Sequence, residues 1–167
     1  MNTVTRIAPG RSAGLLSRFG RALGDLLGVA EPDARATALL QARYGLLGEV
    51  AAVDRIVTSH EVELVGALMD RDGLGLAARA IALSAFEQGR RNRLDTEAAF
   101  GALIVAEREE AGLLAGALDD LIAMAAADGR LRRSERCWLL LLCERLNMDA
   151  AGLDWRIRQL YPEAAAA

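Results

Sequence analysis

Lysine is absent from the 167 residues, and all 20 basic side chains are arginine. That removes lysine Schiff-base chemistry and the phosphate-loop lysine together. Aromatic residues supply only 4% of the chain, so there are few platforms on which bases or sugars could stack, and the core has to come from aliphatic helix faces. Histidine occurs once, as His60. The position three residues before it is Val57 rather than glutamate, and no second histidine exists, so a carboxylate-bundle metal pair is excluded. Its neighbour Ser59 diverges from it on a helix and no third group orients the two, which leaves an exposed helix-start residue as the expectation. The two cysteines, Cys137 and Cys143, lie six apart on one expected helix. That spacing puts them on different sides, and both are expected to be buried, reduced thiols.

Basic excess is missing too. A net charge of −3 and a pI near 5.3 leave nothing with which to displace counterions from a phosphate backbone, so nucleic acid is not an expected partner. No apolar run reaches membrane-spanning length, because Arg6, Arg11, Arg18 and Arg21 interrupt the amino terminus. Gly73-Leu74-Gly75 lacks the context of a phosphate loop. With no catalytic constellation left standing, an enzyme is not expected.

What is present is a hydrophobic fraction of 53% with 26% charged residues, the composition of one globular domain. Within it a helix, corner, helix unit occurs twice, 74 positions apart. Leu40, Tyr44, Leu47, Ala51, Asp54, Val57, Glu61, Leu64, Leu68 and Asp70 are answered by Leu114, Leu118, Leu121, Ala125, Asp128, Leu131, Glu135, Trp138, Leu142 and Glu144. Apolar, acidic and helical positions match throughout, as in an all-α domain with an internal pseudo-two-fold repeat. About seven to eight helices are expected.

Residues 1–30 read as a flexible lead followed by a short amphipathic helix, with Leu15, Leu16, Phe19, Leu23, Leu26 and Leu27 opposite Arg18, Arg21 and Asp25. Its apolar face would pack on the bundle or on a second subunit in a homodimer. A peripheral membrane contact through Leu15, Phe19 and Leu23 is the alternative. The folded domain is expected over 31–162, with 163–167 a disordered tail. Pro32 and Asp33 open a helix that runs to Val53. Gly45 and Gly48 weaken it, so another helix is expected to cross closely over 44–48. Further helices are expected over 58–71, 74–88, 96–107, 111–128, 133–146 and 150–160. Arg90, Arg91 and Arg93 form the densest positive charge and are candidate contacts for an anion or an acidic partner. A solvated interhelical turn is the plainer reading.

Each corner runs from an aspartate to a glutamate seven residues later. Asp128-Gly129-Arg130-Leu131 with Glu135 matches the later half of a calcium-binding loop, but Met124 and Ala126 occupy the places of its first two ligands, as Val50 and Ala52 do in the first copy. A self-contained EF-hand is therefore rejected. Local structure explains the same residues. Gly129 can take the left-handed conformation that stops a helix, Leu131 can plug the corner, and Glu135 falls in the first turn of the next helix. Thr58 and Glu61 have capping-box spacing, and Arg55, where the second copy has glycine, would be left-handed at a cost of about 1 kcal/mol.

These residues resemble the TerB-like family, shared by tellurite-resistance TerB proteins and the amino-terminal region of the membrane-anchored J-protein DjlA. The resemblance rests on 47–54, on Leu68-Met69-Asp70 with Arg79-Ala80, Ala85-Phe86 and Gly89-Arg90, and on Ala127-Asp128-Gly129 with Leu131, Glu135 and Arg136. It covers about 39–148 and implies a single TerB-like helical bundle of stress-response and tellurite-resistance systems, without established catalysis. It also implies acidic corner residues that bind a divalent metal, here Asp54, Glu61, Asp128 and Glu135. Such a cation is the one cofactor the resemblance suggests, and none is required. A J domain is not expected, because His60 is followed by Glu61 and Val62 rather than by Pro-Asp. The membrane segment of DjlA has no counterpart, so a stand-alone protein or an excised module is expected. The resulting expectation is a non-catalytic interaction module of the bacterial cytoplasm with protein partners, and a divalent-metal-binding module as the alternative.

Overall fold

The computed structural model describes residues 32–54, 58–145 and 148–162. The expected amphipathic helix through Leu15, Phe19 and Leu23, the left-handed Arg55 and the tail 163–167 lie outside the described residues. Seven helices and no strand occur among those described: α1 (Ala34–Ala52), α2 (Ser59–Arg71), α3 (Leu76–Arg90), α4 (Thr96–Glu109), α5 (Leu113–Ala125), α6 (Arg133–Arg145) and α7 (Ala150–Leu160).

The repeat is built as its sequence implies. Helices α2 and α6 are each 13 residues long and begin 74 positions apart. The following pair, α3 and α7, also begins 74 positions apart, the preceding pair, α1 and α5, ends 73 apart, and α4 links the halves. Leu47 and Leu121, Ala51 and Ala125, and Leu68 and Leu142 are buried at matching places.

Helix ends differ from the expected ones for identifiable reasons. Asp33 is the N-cap of α1 and accepts the Ala36 N–H at 2.7 Å. Pro32 therefore lies outside the helix instead of opening it. At the end of α2, Gly73 has φ +64° and Leu74 donates its N–H to the Met69 carbonyl. This is a Schellman stop, and it sets the start of α3 beyond position 74. Gly129 is left-handed as expected, at φ +83°, but α5 already ends at Ala125. The glycine turns the corner rather than stopping the helix.

Packing centres on α1, which contacts α3, α4 and α5. Its Tyr44, Leu46 and Leu47 are fully buried. The crossing expected over Gly45 and Gly48 is made by α3. A Cβ at Gly48 would overlap the Phe86 carbonyl oxygen, one at Gly89 would overlap the Gly45 carbonyl oxygen, and one at Gly45 would run into the Leu94 side chain. The approach is one of backbone on backbone, which only glycine allows.

Candidate functional site

The two acidic corners meet. Arg132 reaches Asp54 at 2.6 Å, Asp128 at 2.6 Å and Glu135 at 3.5 Å. Thr58 and Glu61 form a reciprocal capping box, with the Thr58 N–H donating to the Glu61 carboxylate at 2.6 Å. The Arg132 N–H donates to the Glu135 carboxylate at 2.7 Å in the equivalent place. Burial pushes the carboxyl of Glu61 above its usual range; the Thr58 donors oppose this, and Asp54 and Asp128 add to it. Glu135 is raised in the same way, chiefly by burial, against its bonds to Arg132 and with the same two aspartates adding. All four expected acids thus share one field. Its cation is a side chain, Arg132, which lies four residues after Asp128 and three before Glu135 in the non-helical corner ahead of α6. Asp54, Asp128 and Glu135 already serve Arg132, Glu61 and Glu135 serve as caps, and no cluster of three or more His, Cys, Asp or Glu suited to a metal occurs among the described residues.

A second ionic cluster is missing from the sequence reading. Asp72 and Asp120 are 6% and 4% exposed. Arg43 donates to Asp72 at 2.7 Å and to Asp120 at 3.0 Å, Arg71 bonds Asp120 at 2.8 and 3.0 Å, and the Tyr44 hydroxyl donates to Asp72 at 3.1 Å. Burial raises the Asp120 carboxyl, but Arg71 and Arg43 outweigh it and hold the group below its usual range. The same burial, with Asp72 next, pushes the Tyr44 phenol well up. The available signal is an aspartate set in the apolar stripe of Ala117, Leu121 and Met124. The cluster ties α1, the end of α2 and α5 together.

Between the end of α1, the start of α4 and α6 lies a cleft of about 390 Å³. Its floor is Phe100, Trp138 and Leu142, its lip is Leu141, and its polar wall includes Glu49, Glu97 and Arg145. Leu141 is 62% exposed. Glu49 accepts the Thr96 hydroxyl at 2.6 Å. Burial raises its carboxyl and that hydrogen bond opposes the shift. Glu97 is paired with Arg145, whose guanidinium also lies 5.7 Å from the Phe100 ring centre. Concave apolar floors with few polar groups suit insertion of an apolar side chain.

The remaining sites fall elsewhere. Arg90 and Arg91 both pair with Glu87, at 2.6 and 3.4 Å. Asn92 at φ +52° and the bond from Arg93 N–H to the Gln88 carbonyl close α3 in a second Schellman turn. The arginine run is therefore first a helix stop. His60 is exposed on the first turn of α2. Cys143 is buried as expected, but Cys137 is exposed; both thiols are free. Position 137 lies off the core stripe of Glu135, Leu139 and Leu142.

Residues 40–157 match the family model described as tellurite resistance protein TerB. Curated relatives carry the name co-chaperone protein DjlA. That of Aliivibrio fischeri is 30% identical over 131 residues, covering 78% of this chain and 46% of the relative. That of Photobacterium profundum is 28% identical over 128 residues, 77% and 46% respectively, and that of Vibrio vulnificus is 30% identical over 115 residues, 69% and 40%. The chain thus spans less than half the length of these relatives. No solved structure gives a significant match.

Proposed function

The chain belongs to the TerB family, and from that membership we propose that it is a non-catalytic protein-interaction module of a bacterial stress response, acting in the cytoplasm beside unidentified protein partners. The relatives named as co-chaperones support a protein partner over a small-molecule substrate. The observation that carries the reading is the cleft. An apolar floor of Phe100 and Trp138 is flanked by Leu141, a large apolar side chain left 62% exposed, and such patches mark docking surfaces. No described helix is long and apolar enough to cross a membrane.

The test is affinity capture from the native host with wild-type and Leu141→Asp baits of equal helicity. A partner retained by the first and lost by the second supports the reading, and identical partner sets reject it. Sensitivity of a deletion strain to tellurite, set against heat and oxidant, identifies the stress.

The convergence of Asp54, Glu61, Asp128 and Glu135 favours a second reading, in which a divalent cation enters by displacing Arg132. Oxygen donors of this kind suit a hard ion. Calorimetry with calcium, magnesium, manganese and zinc decides it. Heat that disappears in Asp54→Asn and Asp128→Asn supports the ion, whereas no heat and no melting shift at millimolar metal removes it.

A further inference from the structure

We propose that the cleft beside α6 takes a partner segment carrying an arginine or lysine next to a large apolar side chain, with the apolar group on Phe100 and Trp138 and the cation on Glu49. The inference rests on the docking role proposed above and names the class of segment that docks. Charge is the first argument. Three ionisable side chains line the cleft, Glu49, Glu97 and Arg145. Glu97 and Arg145 neutralise each other, which leaves one negative charge, on Glu49. That carboxylate has a single hydrogen bond, from the Thr96 hydroxyl, and no ion pair among the described residues. A glutamine would accept the same bond without placing a charge in a half-buried setting, so Thr96 does not account for the acid. An incoming cation does.

The second argument is a precedent inside the cleft. The Arg145 guanidinium lies 5.7 Å from the Phe100 ring centre while it pairs with Glu97, so one cation is already held by an aromatic ring and a carboxylate together. Trp138 and Glu49 line the same cleft as a second aromatic ring and a second carboxylate. No cation lies over the Trp138 ring among the described residues. Indole gives the strongest cation–π attraction of the aromatic side chains. Leu141, three residues further along α6 and on the lip of the cleft, adds apolar surface for the aliphatic stem of an arginine or lysine.

Rigidity is the third. Glu49 follows Gly48, where a Cβ would overlap the Phe86 carbonyl oxygen, and a Cβ at Gly89 would crowd the Glu49 backbone nitrogen itself. The backbone of α1 is therefore fixed against α3 at this position, and Thr96 of α4 orients the side chain. A carboxylate held in this way loses little freedom when it binds, which favours its use as a contact.

The experiment is a random-peptide phage selection on the full chain, with Glu49→Gln and Leu141→Asp as parallel baits. The wild type is expected to enrich sequences that pair a large apolar residue with arginine or lysine. Glu49→Gln should keep the apolar preference and lose the basic one, and Leu141→Asp should capture neither. A labelled synthetic copy of an enriched peptide then closes a double-mutant cycle. Replacing its basic residue by methionine should weaken binding to the wild type by roughly tenfold, and to Glu49→Gln far less. If Glu49→Gln does not fold, the methionine peptide still reads the contact on the unaltered protein, where full affinity overturns the proposal. Peptides that need Leu141 but bind Glu49→Gln undiminished, or that are rich in acids drawn by Arg145, overturn this inference and leave the docking role standing. Peptides indifferent to Leu141→Asp, or no enrichment at all, overturn both.

Discussion

A guanidinium that gathers three carboxylates does more than one paired with a single surface acid. Arg132 contacts Asp54, Asp128 and Glu135 together. Glu61 and Glu135 bind their protons more tightly folded than unfolded. Each therefore subtracts stability as pH rises from the ordinary carboxylate value through its raised folded one. Arg132 is a counter-charge to this repulsion at Glu135. Arg132→Gln should lower the melting temperature at pH 7, with the deficit shrinking as pH falls toward about 4 and the acids protonate. A deficit unchanged between pH 7 and 4 would exclude this account. Asp120 has the opposite sign. Its folded value is depressed, so its contribution is present above the ordinary aspartate range and lost as pH falls through the folded value. Asp120→Asn removes a buried carboxylate charge that both Arg43 and Arg71 bond. A loss of about 3 kcal/mol in urea unfolding is expected.

At the scale of elements, the glycines divide into two groups by what a methyl would meet. Gly48→Ala and Gly89→Ala force α1 and α3 apart, because the obstruction is backbone and cannot rotate away. Each should cost about 3 kcal/mol or more, or prevent folding. Gly66→Ala and Gly116→Ala, on α2 and α5 with nothing nearby, should instead stabilise by about 0.5–1 kcal/mol through helix propensity. Thermal melts of the four variants check both halves of the claim. The helix crossing was legible in the sequence because two glycines three apart are costly inside a helix without a packing reason. The identity of the crossing helix was not, since Gly89 on its own reads as a helix end.

For the whole molecule, the repeat does not yield two independent halves. Helix α1 packs against α5 of the second unit as well as against α3, and the Arg43, Asp72 and Asp120 cluster joins three helices of both units. Leu47, Leu118, Leu121, Leu139 and Leu153 share one core. Urea unfolding should therefore show a single transition with the same midpoint by far-UV dichroism, which reads every helix, and by fluorescence of Trp138 and Trp155, which lie in the second unit. Separate midpoints would mean that the units are held together more weakly than their shared core implies.

The amino-acid sequence by itself determined the helices, the pseudo-two-fold repeat, the capping box at Thr58 and Glu61, and the family. The helices and the capping box depend on neighbours within one or two turns, where spacing fixes geometry, and the repeat and the family on a residue pattern that recurs along the chain. Tertiary structure alone decided what the charges do. Arg43 meets Asp120 across 77 positions, Arg71 meets Asp120 across 49 and Thr96 meets Glu49 across 47. Such pairs exist only after apolar packing has set the helices side by side, because helical periodicity names the face of a residue but not the helix that face will meet. The cleft has the same origin: it exists only where the end of α1, the start of α4 and α6 leave a gap between them.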